Sequence, residues 1–214
     1  MARPLYCSVD SGLYRPTLAR KRWDLGYLGT YSADRQPGLE ELLLEVAVQL
    51  PQRRLVVAGS LYPQDVIWPE NVDRIEHLPP ARHADFYSSL RWALNVTRAD
   101  MVQSGFSPSV RLFEASACGT PILTDSWPGL GNFFTPGREL LVVESTEGVV
   151  QTLEMSPKKA AAIGATGRRR TLRDHTAERR ARQLESYLEA IEQPEPLLAS
   201  WSRLEPRPLH QADS

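Results

Sequence analysis

Ser107-Pro-Ser-Val-Arg111-Leu-Phe-Glu114-Ala-Ser-Ala-Cys-Gly119-Thr-Pro-Ile-Leu-Thr-Asp125 is the stretch that decides the fold. It reads as a capped, buried helix that turns sharply into a buried strand. Ser107 is placed to cap the helix, Pro108 to be its first residue, and Gly119 to stop it in a left-handed conformation before Pro121-Ile122-Leu123. A helix delivered straight into an apolar strand is the unit from which a parallel sheet covered on both faces is built. Between Met101 and Thr124 the only charges are Arg111 and Glu114. They must meet water, a partner or a ligand, because an unpaired buried charge is costly. Three residues apart, they share one helix face, and two readings stay open. One is a local i,i+3 pair contributing about 0.2–0.5 kcal/mol. The other sets Arg111 near the positive end of a helix, where a phosphate is favoured, with Glu114 one turn on to accept from sugar hydroxyls.

Outward from this stretch, short apolar runs alternate with helical patterns from about Trp23 to Glu192, which predicts an α/β, Rossmann-like domain with a parallel sheet and helices on both faces. Expected strands are Leu25–Thr30, Arg54–Ala58 closed by Gly59, Val72–His77 ended by Leu78-Pro79-Pro80, Trp92–Val96, Ile122–Leu123 and Glu139–Glu144. Expected helices begin near Pro37, His83, Pro108, Glu147 and Thr176. The last should pack through the stripe Ala177, Ala181, Leu184, Leu188 and Ile191. Residues 1–22 form a lead-in segment, 23–192 the domain, and 193–214 a polar, proline-bearing tail expected to be disordered. Thr97-Arg98-Ala99-Asp100 closes another strand, where Arg98 either supplies a second basic contact or, as the safer reading, pairs locally with Asp100.

With 214 residues and a formal net charge of −1, the chain is sized for one α/β core, and its summed charge makes no case for nucleic acid or an anionic membrane surface. The arginines at 168, 169, 170, 173, 179, 180 and 182 come without an aromatic platform and read as a solvated helix face. Cys7 and Cys118 fit no metal spacing and read as reduced and structural. The four histidines, at 77, 83, 175 and 210, show no zinc spacing, so no metal site is expected. No phosphate loop of the GxxxxGK type and no nucleophile elbow is present, which excludes those ATPases and serine hydrolases. Without an apolar leader or a run long enough to span a bilayer, the expected location is cytoplasmic. What remains are groups at strand ends: Gly29 with Arg35, the break at His77, and Ser107 through Glu114.

Gly29-Thr-Tyr-Ser-Ala-Asp-Arg35-Gln-Pro, Asn95-Val-Thr-Arg-Ala-Asp100 and Ser107 to Gly119 resemble the CgeB/YkvP-type glycosyltransferases, relatives of spore maturation proteins. More distantly the chain is similar to the carboxyl-terminal, donor-binding half of GT-B glycosyltransferases. The resemblance runs from about Tyr6 to Leu188. It implies a nucleotide-diphosphate-sugar as donor substrate and no cofactor or structural metal. It places the diphosphate on Gly29, Thr30, Arg35, Ser107 and Ser109, and the nucleobase at the loop of His77 and Leu78. The catalytic roles fall to Arg111, which steadies the leaving diphosphate, and Glu114, which binds the donor ribose. Related family-4 enzymes carry a Glu-x7-Glu motif; Glu114 matches its second glutamate, while Phe106 stands in place of the first. They also carry two basic residues after the strand-end glycine; Arg35 holds the second position and Thr30 replaces the first. Cys7 to Pro16 resembles the segment entering the second domain, so an acceptor-binding domain or partner chain is implied. The competing class is a non-catalytic nucleotide-binding or assembly module, docking through an exposed patch at Trp127, Phe133 and Phe134.

Overall fold

The structure, a computed structural model, describes residues 3–192; the expected disordered tail, 193–214, lies outside the described residues. In chain order the elements are β1 (Trp23–Leu28), helix α1, β2 (Leu55–Ala58) and β3 (Val72–Ile75). Helix α1 runs Gln36–Leu39, passes through a π turn at Glu40–Leu44 and resumes at Glu45–Gln49. A 3-10 turn, Pro80–Arg82, leads into α2 (His83–Ser89), then β4 (Leu90–Asn95), α3 (Ala99–Ser104), α4 (Val110–Ala117), β5 (Ile122–Thr124) and α5 (Leu130–Phe133). β6 (Leu141–Val142), α6 (Thr146–Leu153), α7 (Pro157–Asp174) and α8 (Ala177–Glu192) complete the described chain.

All six strands pair in parallel in the order β3-β2-β1-β4-β5-β6. This is the order of a doubly wound Rossmann sheet, whose chain direction switches between β1 and β4 and opens a crevice at the strands' carboxyl ends. Strand alternation sorts the core into two layers. Leu25, Tyr27, Leu55, Val57, Trp92 and Leu94 face α1, α6 and the start of α7, whereas Trp23, Val56, Ala58, Leu90 and Ala93 face α2, α4 and α5. Both faces are dry, which is why these strands read as apolar runs rather than as alternating ones.

Several expected boundaries move. Helix α4 begins at Val110, not Pro108, because residues 105–107 fold back on the turn before α5, with the Phe106 N–H donating to the Pro128 carbonyl at 2.7 Å. Ser109, not Ser107, occupies its N-cap position, with extended backbone at φ −67° and ψ 136° and no side-chain cap bond. At the other end Gly119 takes φ +74°, and N–H bonds from Gly119 to the Ser116 carbonyl and from Thr120 to the Ala115 carbonyl close the helix. α3 occupies the residues read as a strand end; Arg98 and Asp100 form no ion pair, and Asp34 instead accepts from the Ala99 N–H at 3.1 Å. The expected helix from Glu147 is two helices, because Ser156 caps a fresh start at Pro157.

Three side-chain expectations are corrected. Trp127, Phe133 and Phe134 are 4%, 2% and 0% exposed, so they are core rather than an open patch. The stripe on α8 faces solvent at Ala177, Ala181, Leu184 and Leu188, and the helix instead docks through Arg180, whose Nε donates to the Tyr6 carbonyl, and Tyr187, whose hydroxyl donates to Pro4. Part of the arginine cluster is structural. Arg168 donates to the Ala117 carbonyl and Arg170 to Asn132 and Phe133. Cys118 is buried, while Cys7 is exposed with its thiol donating to the Pro108 carbonyl at 3.3 Å.

Candidate functional site

The carboxyl ends of β1, β2 and β3 and the first turn of α4 enclose a cleft of about 470 Å³, a volume within the range of small-ligand sites. Its lining includes Gly29, Thr30, Gly59, His77, Leu78, His83, Tyr87, Ser109, Val110, Arg111 and Glu114. Larger hollows of about 710, 630 and 620 Å³ lie elsewhere, and the first reaches Ile75 and Leu78 at the end of β3, but none combines the ends of β1 and β2 with the first turn of α4, so position and not size selects the cleft.

Its floor is bare backbone. A methyl group on Gly29 would stand 2.6 Å from both Arg111 Nη2 and the Tyr27 hydroxyl, and one on Gly59 would stand 2.0 Å from the Gly29 carbonyl oxygen. The Tyr62 hydroxyl donates to that carbonyl at 3.1 Å, and the guanidinium of Arg74 lies 4.4 Å from the Tyr62 ring and 4.1 Å from the Trp68 ring. The turn after β1 is thereby held from the loop that follows β2.

Arg111 is 8% exposed. Its Nε donates to the Leu28 carbonyl, its Nη1 donates to Asn95 Oδ1 at 2.9 Å, and its guanidinium lies 4.7 Å from the centre of the Tyr27 ring. The Asn95 amide is oriented in turn, because its Nδ2 donates to the hydroxyls of Thr97 and Thr124 at 3.2 and 3.0 Å. Asp125 accepts from the Thr97 N–H and hydroxyl at 2.9 and 2.7 Å, and burial pushes its carboxyl up from the usual range. Among the described residues no carboxylate comes within salt-bridge distance of Arg111, so the i,i+3 pair with Glu114 does not form. A nearly buried guanidinium held only by neutral acceptors at the mouth of a cleft favours an anion there.

Glu114 accepts from the Tyr87 hydroxyl at 3.0 Å. Burial first, then this carboxylate, raises the Tyr87 phenol well above its ordinary range, so Tyr87 remains a donor at neutral pH. Tyr14 and His83 brace the same wall, with the Tyr14 hydroxyl 3.3 Å from His83 Nδ1 and His83 Nε2 3.2 Å from the Leu78 carbonyl. Because α4 carries no side-chain cap, its first-turn N–H groups add positive potential at Ser109 and Val110.

The residues expected from sequence are therefore not all in one place. Gly29, Thr30, His77, Leu78, Ser109, Arg111 and Glu114 line the cleft, while Ser107 and Arg35 do not. Arg35 stands behind the wall, donating to the Thr30 carbonyl at 2.6 Å with its Nε unpartnered among the described residues. Burial, with the like charges of Arg111 and Arg98, depresses its guanidinium from the ordinary value. Asn95, Gly59, Tyr87 and His83 were not foreseen as part of the site. Only Asn95 left a signal, as the lone amide at the end of an apolar strand run. Among the described residues no group of three or more His, Cys, Asp or Glu is placed to hold a metal ion.

Residues 35–186 match the family model described as glycosyl transferase-like. The chain belongs to that family. No curated protein matches it. Among solved structures, this glycosyl transferase-like chain is similar to the sucrose-phosphate synthase of Thermosynechococcus elongatus, at 19% identity and a TM-score of 0.71 over 89% of this chain and 52% of that one. It is also similar to HepE of Anabaena, solved in complex with UDP-glucose, at 14% identity and a TM-score of 0.69 over 86% and 56%. The carboxyl-terminal domain of LpcC, a group 1 glycosyl transferase of Francisella tularensis, matches at 15% identity and a TM-score of 0.63, over 79% of this chain and 99% of that domain. At such identities the likeness is one of fold, and the fold is the carboxyl-terminal half of a GT-B enzyme. The chain spans about half the length of the first two proteins. No helix among the described residues is long and apolar enough to cross a membrane.

Proposed function

We propose that this chain is the donor-binding half of a glycosyltransferase of the CgeB/YkvP kind and that its cleft takes a nucleotide-diphosphate-sugar. The observation that carries the reading is Arg111, a nearly buried guanidinium with no carboxylate partner among the described residues, set at the uncapped end of α4 in the cleft. In this reading the diphosphate rests on Arg111, the backbone of Gly29 and Thr30, and the first turn of α4 at Ser109. Arg35 adds long-range positive charge through the Thr30 turn, and Ser107 takes no part. Glu114, held by Tyr87, accepts from the ribose hydroxyls, and the base lies against His77 and Leu78.

As the bond from sugar to phosphate breaks, negative charge gathers on the departing diphosphate. Preorganised N–H donors and a fixed guanidinium stabilise that charge without reorganising. We propose that this charge compensation serves without a resident metal or cofactor. The hydroxyl that attacks the sugar, and the group that takes its proton, belong to an acceptor-binding domain or partner chain. The half-exposed Val110, which lines the cleft, and the exposed Phe106 and Leu61 offer apolar surface for such a partner. The reading also places the protein in the cytoplasm, with no nucleic acid as partner.

Isothermal titration of the purified chain with UDP, GDP, ADP and dTDP, in buffer containing a chelator, tests this. Saturable binding of one of them, lost in Arg111→Ala, is the expected result. No binding by any of the four would reduce the reading to likeness of fold and favour a non-catalytic assembly module, whose docking face would be the open Leu184 and Leu188 stripe on α8.

A further inference from the structure

Charge on this chain is segregated even though it sums to −1. Between Asp10 and Asp24 stand Arg15, Arg20, Lys21 and Arg22 with no carboxylate among them. The segment is laid along the end of α2. The Thr17 N–H donates to Ser88 Oγ at 3.1 Å, the Arg22 N–H to the Ser89 carbonyl at 2.8 Å, and Lys21 Nζ to the Leu90 carbonyl at 2.6 Å. With its backbone and the Lys21 ammonium tied inward, the segment leaves its other basic and apolar side chains outside. Leu13 is 71% and Leu18 103% exposed, and the four cations are exposed as well. Among the described residues none of the four lies within salt-bridge distance of a carboxylate.

A single exposed leucine is ordinary. Here it stands within an unpaired basic run, and hollows open on both sides of that run. One, about 710 Å³, brings Arg54 and Arg82, which pair with Asp73 and Asp85. The other, about 620 Å³, is mainly apolar, with Pro121, Ala160 and Ala161 in its wall and Arg168 beside them. Lys21 borders both. We propose that residues 15–22 dock the protein on the anionic face of a phospholipid bilayer, Leu18 entering the headgroup layer while lipid phosphates meet Arg15, Arg20 and Arg22. Basic residues are drawn to an anionic leaflet and an apolar side chain at its boundary is buried, the two contributions that hold peripheral proteins on membranes. None of residues 15–22 lines the strand-end cleft, so the inference does not rest on the donor reading.

Cosedimentation of the full chain with vesicles of phosphatidylcholine alone, and of phosphatidylcholine with phosphatidylglycerol, tests it. Binding is expected to the anionic vesicles only and to weaken as salt is raised. Reversing two charges in Arg20→Glu/Arg22→Glu should lower partitioning by at least about 25-fold, at roughly fivefold per basic residue near the surface. Leu18→Ser should lower it by about tenfold with the salt dependence unchanged. The Leu18 side chain is fully exposed, so this variant keeps the test alive if the double reversal fails to fold. Equal binding to both vesicles, binding to neither, or full binding by Leu18→Ser would overturn the proposal. Competition by glycerol phosphate that abolishes sedimentation would overturn it too, assigning the cations to a soluble anion, and retention on RNA without vesicle binding would assign them to nucleic acid.

Discussion

At the scale of single residues the site depends on two side chains whose partners fix their direction. Glu114 is steered by Tyr87, and in the reading we propose its charge meets the donor ribose. Glu114→Gln keeps the shape and removes the charge. Titration should show nucleoside diphosphate binding weakened by about 1.5–3 kcal/mol, the scale of a hydrogen bond to a charged group, with inorganic pyrophosphate affected far less. Equal losses for both ligands would move Glu114 away from the sugar. Arg111 depends on Asn95, whose oxygen it uses at 2.9 Å. Asn95→Ala leaves a buried guanidinium short of one acceptor. Urea unfolding should show a loss of about 1–3 kcal/mol, and pyrophosphate should bind more weakly because the arginine is no longer aimed. Unaltered pyrophosphate affinity would leave Asn95 a purely structural role.

Among the elements, the position of α4 decides where those side chains sit, and α7 decides the position of α4. The contact between them is close. A methyl group on Gly164 of α7 would stand 2.3 Å from the Gly119 carbonyl oxygen and 3.0 Å from the Pro121 nitrogen. Gly164→Ala must therefore push α7 off the turn joining α4 to β5, at about 1–3 kcal/mol for overpacking, measurable as a lowered urea midpoint. Gly131, in α5, has nothing within 4 Å of the same added atom, so Gly131→Ala should leave the midpoint unchanged or slightly raised. A Gly164→Ala chain as stable as wild type would show that α7 slides freely on α4.

For the molecule as a whole, the histidine joining its two ends sets a pH dependence. His175 is 5% exposed, its Nε2–H donates to the Phe133 carbonyl at 3.0 Å, and its Nδ1 accepts from Arg180 at 3.1 Å, so the neutral ring has both nitrogens engaged. Burial holds its pKa below the usual value, Arg180 and Arg170 add to the depression, and the Phe133 carbonyl and Asp174 oppose it. Because the folded pKa lies below the unfolded one, near 6.5, the unfolded chain binds the proton more readily. His175 contributes its full stability above that unfolded value and loses it as the pH falls toward the folded one. Thermal melts between pH 7.5 and 5, an interval set around that unfolded value, should fall with acid in the wild type and fall less in His175→Gln. Parallel curves would exclude His175 as the source.

Sequence was enough for the α/β class, the parallel sheet, the left-handed stop at Gly119 and the two charges on α4, because apolar runs, helical spacing and glycine conformation are local properties of the chain. It left open whether Arg111 and Glu114 pair with each other. That was decided by neighbours distant in sequence, Leu28 and Asn95 for the arginine and Tyr87 for the glutamate, which the strand order β2-β1-β4 brings beside α4. It misjudged which stripe of α8 packs, because residues 3–9 offer that helix backbone carbonyls, and carbonyls take arginine and tyrosine in preference to leucine. It misjudged Trp127, Phe133 and Phe134 for a related reason. Aromatic residues in a turn look exposable until α7 and His175 close over them. What lies beside what across the sheet is a property of chain topology, and only the folded molecule fixes it.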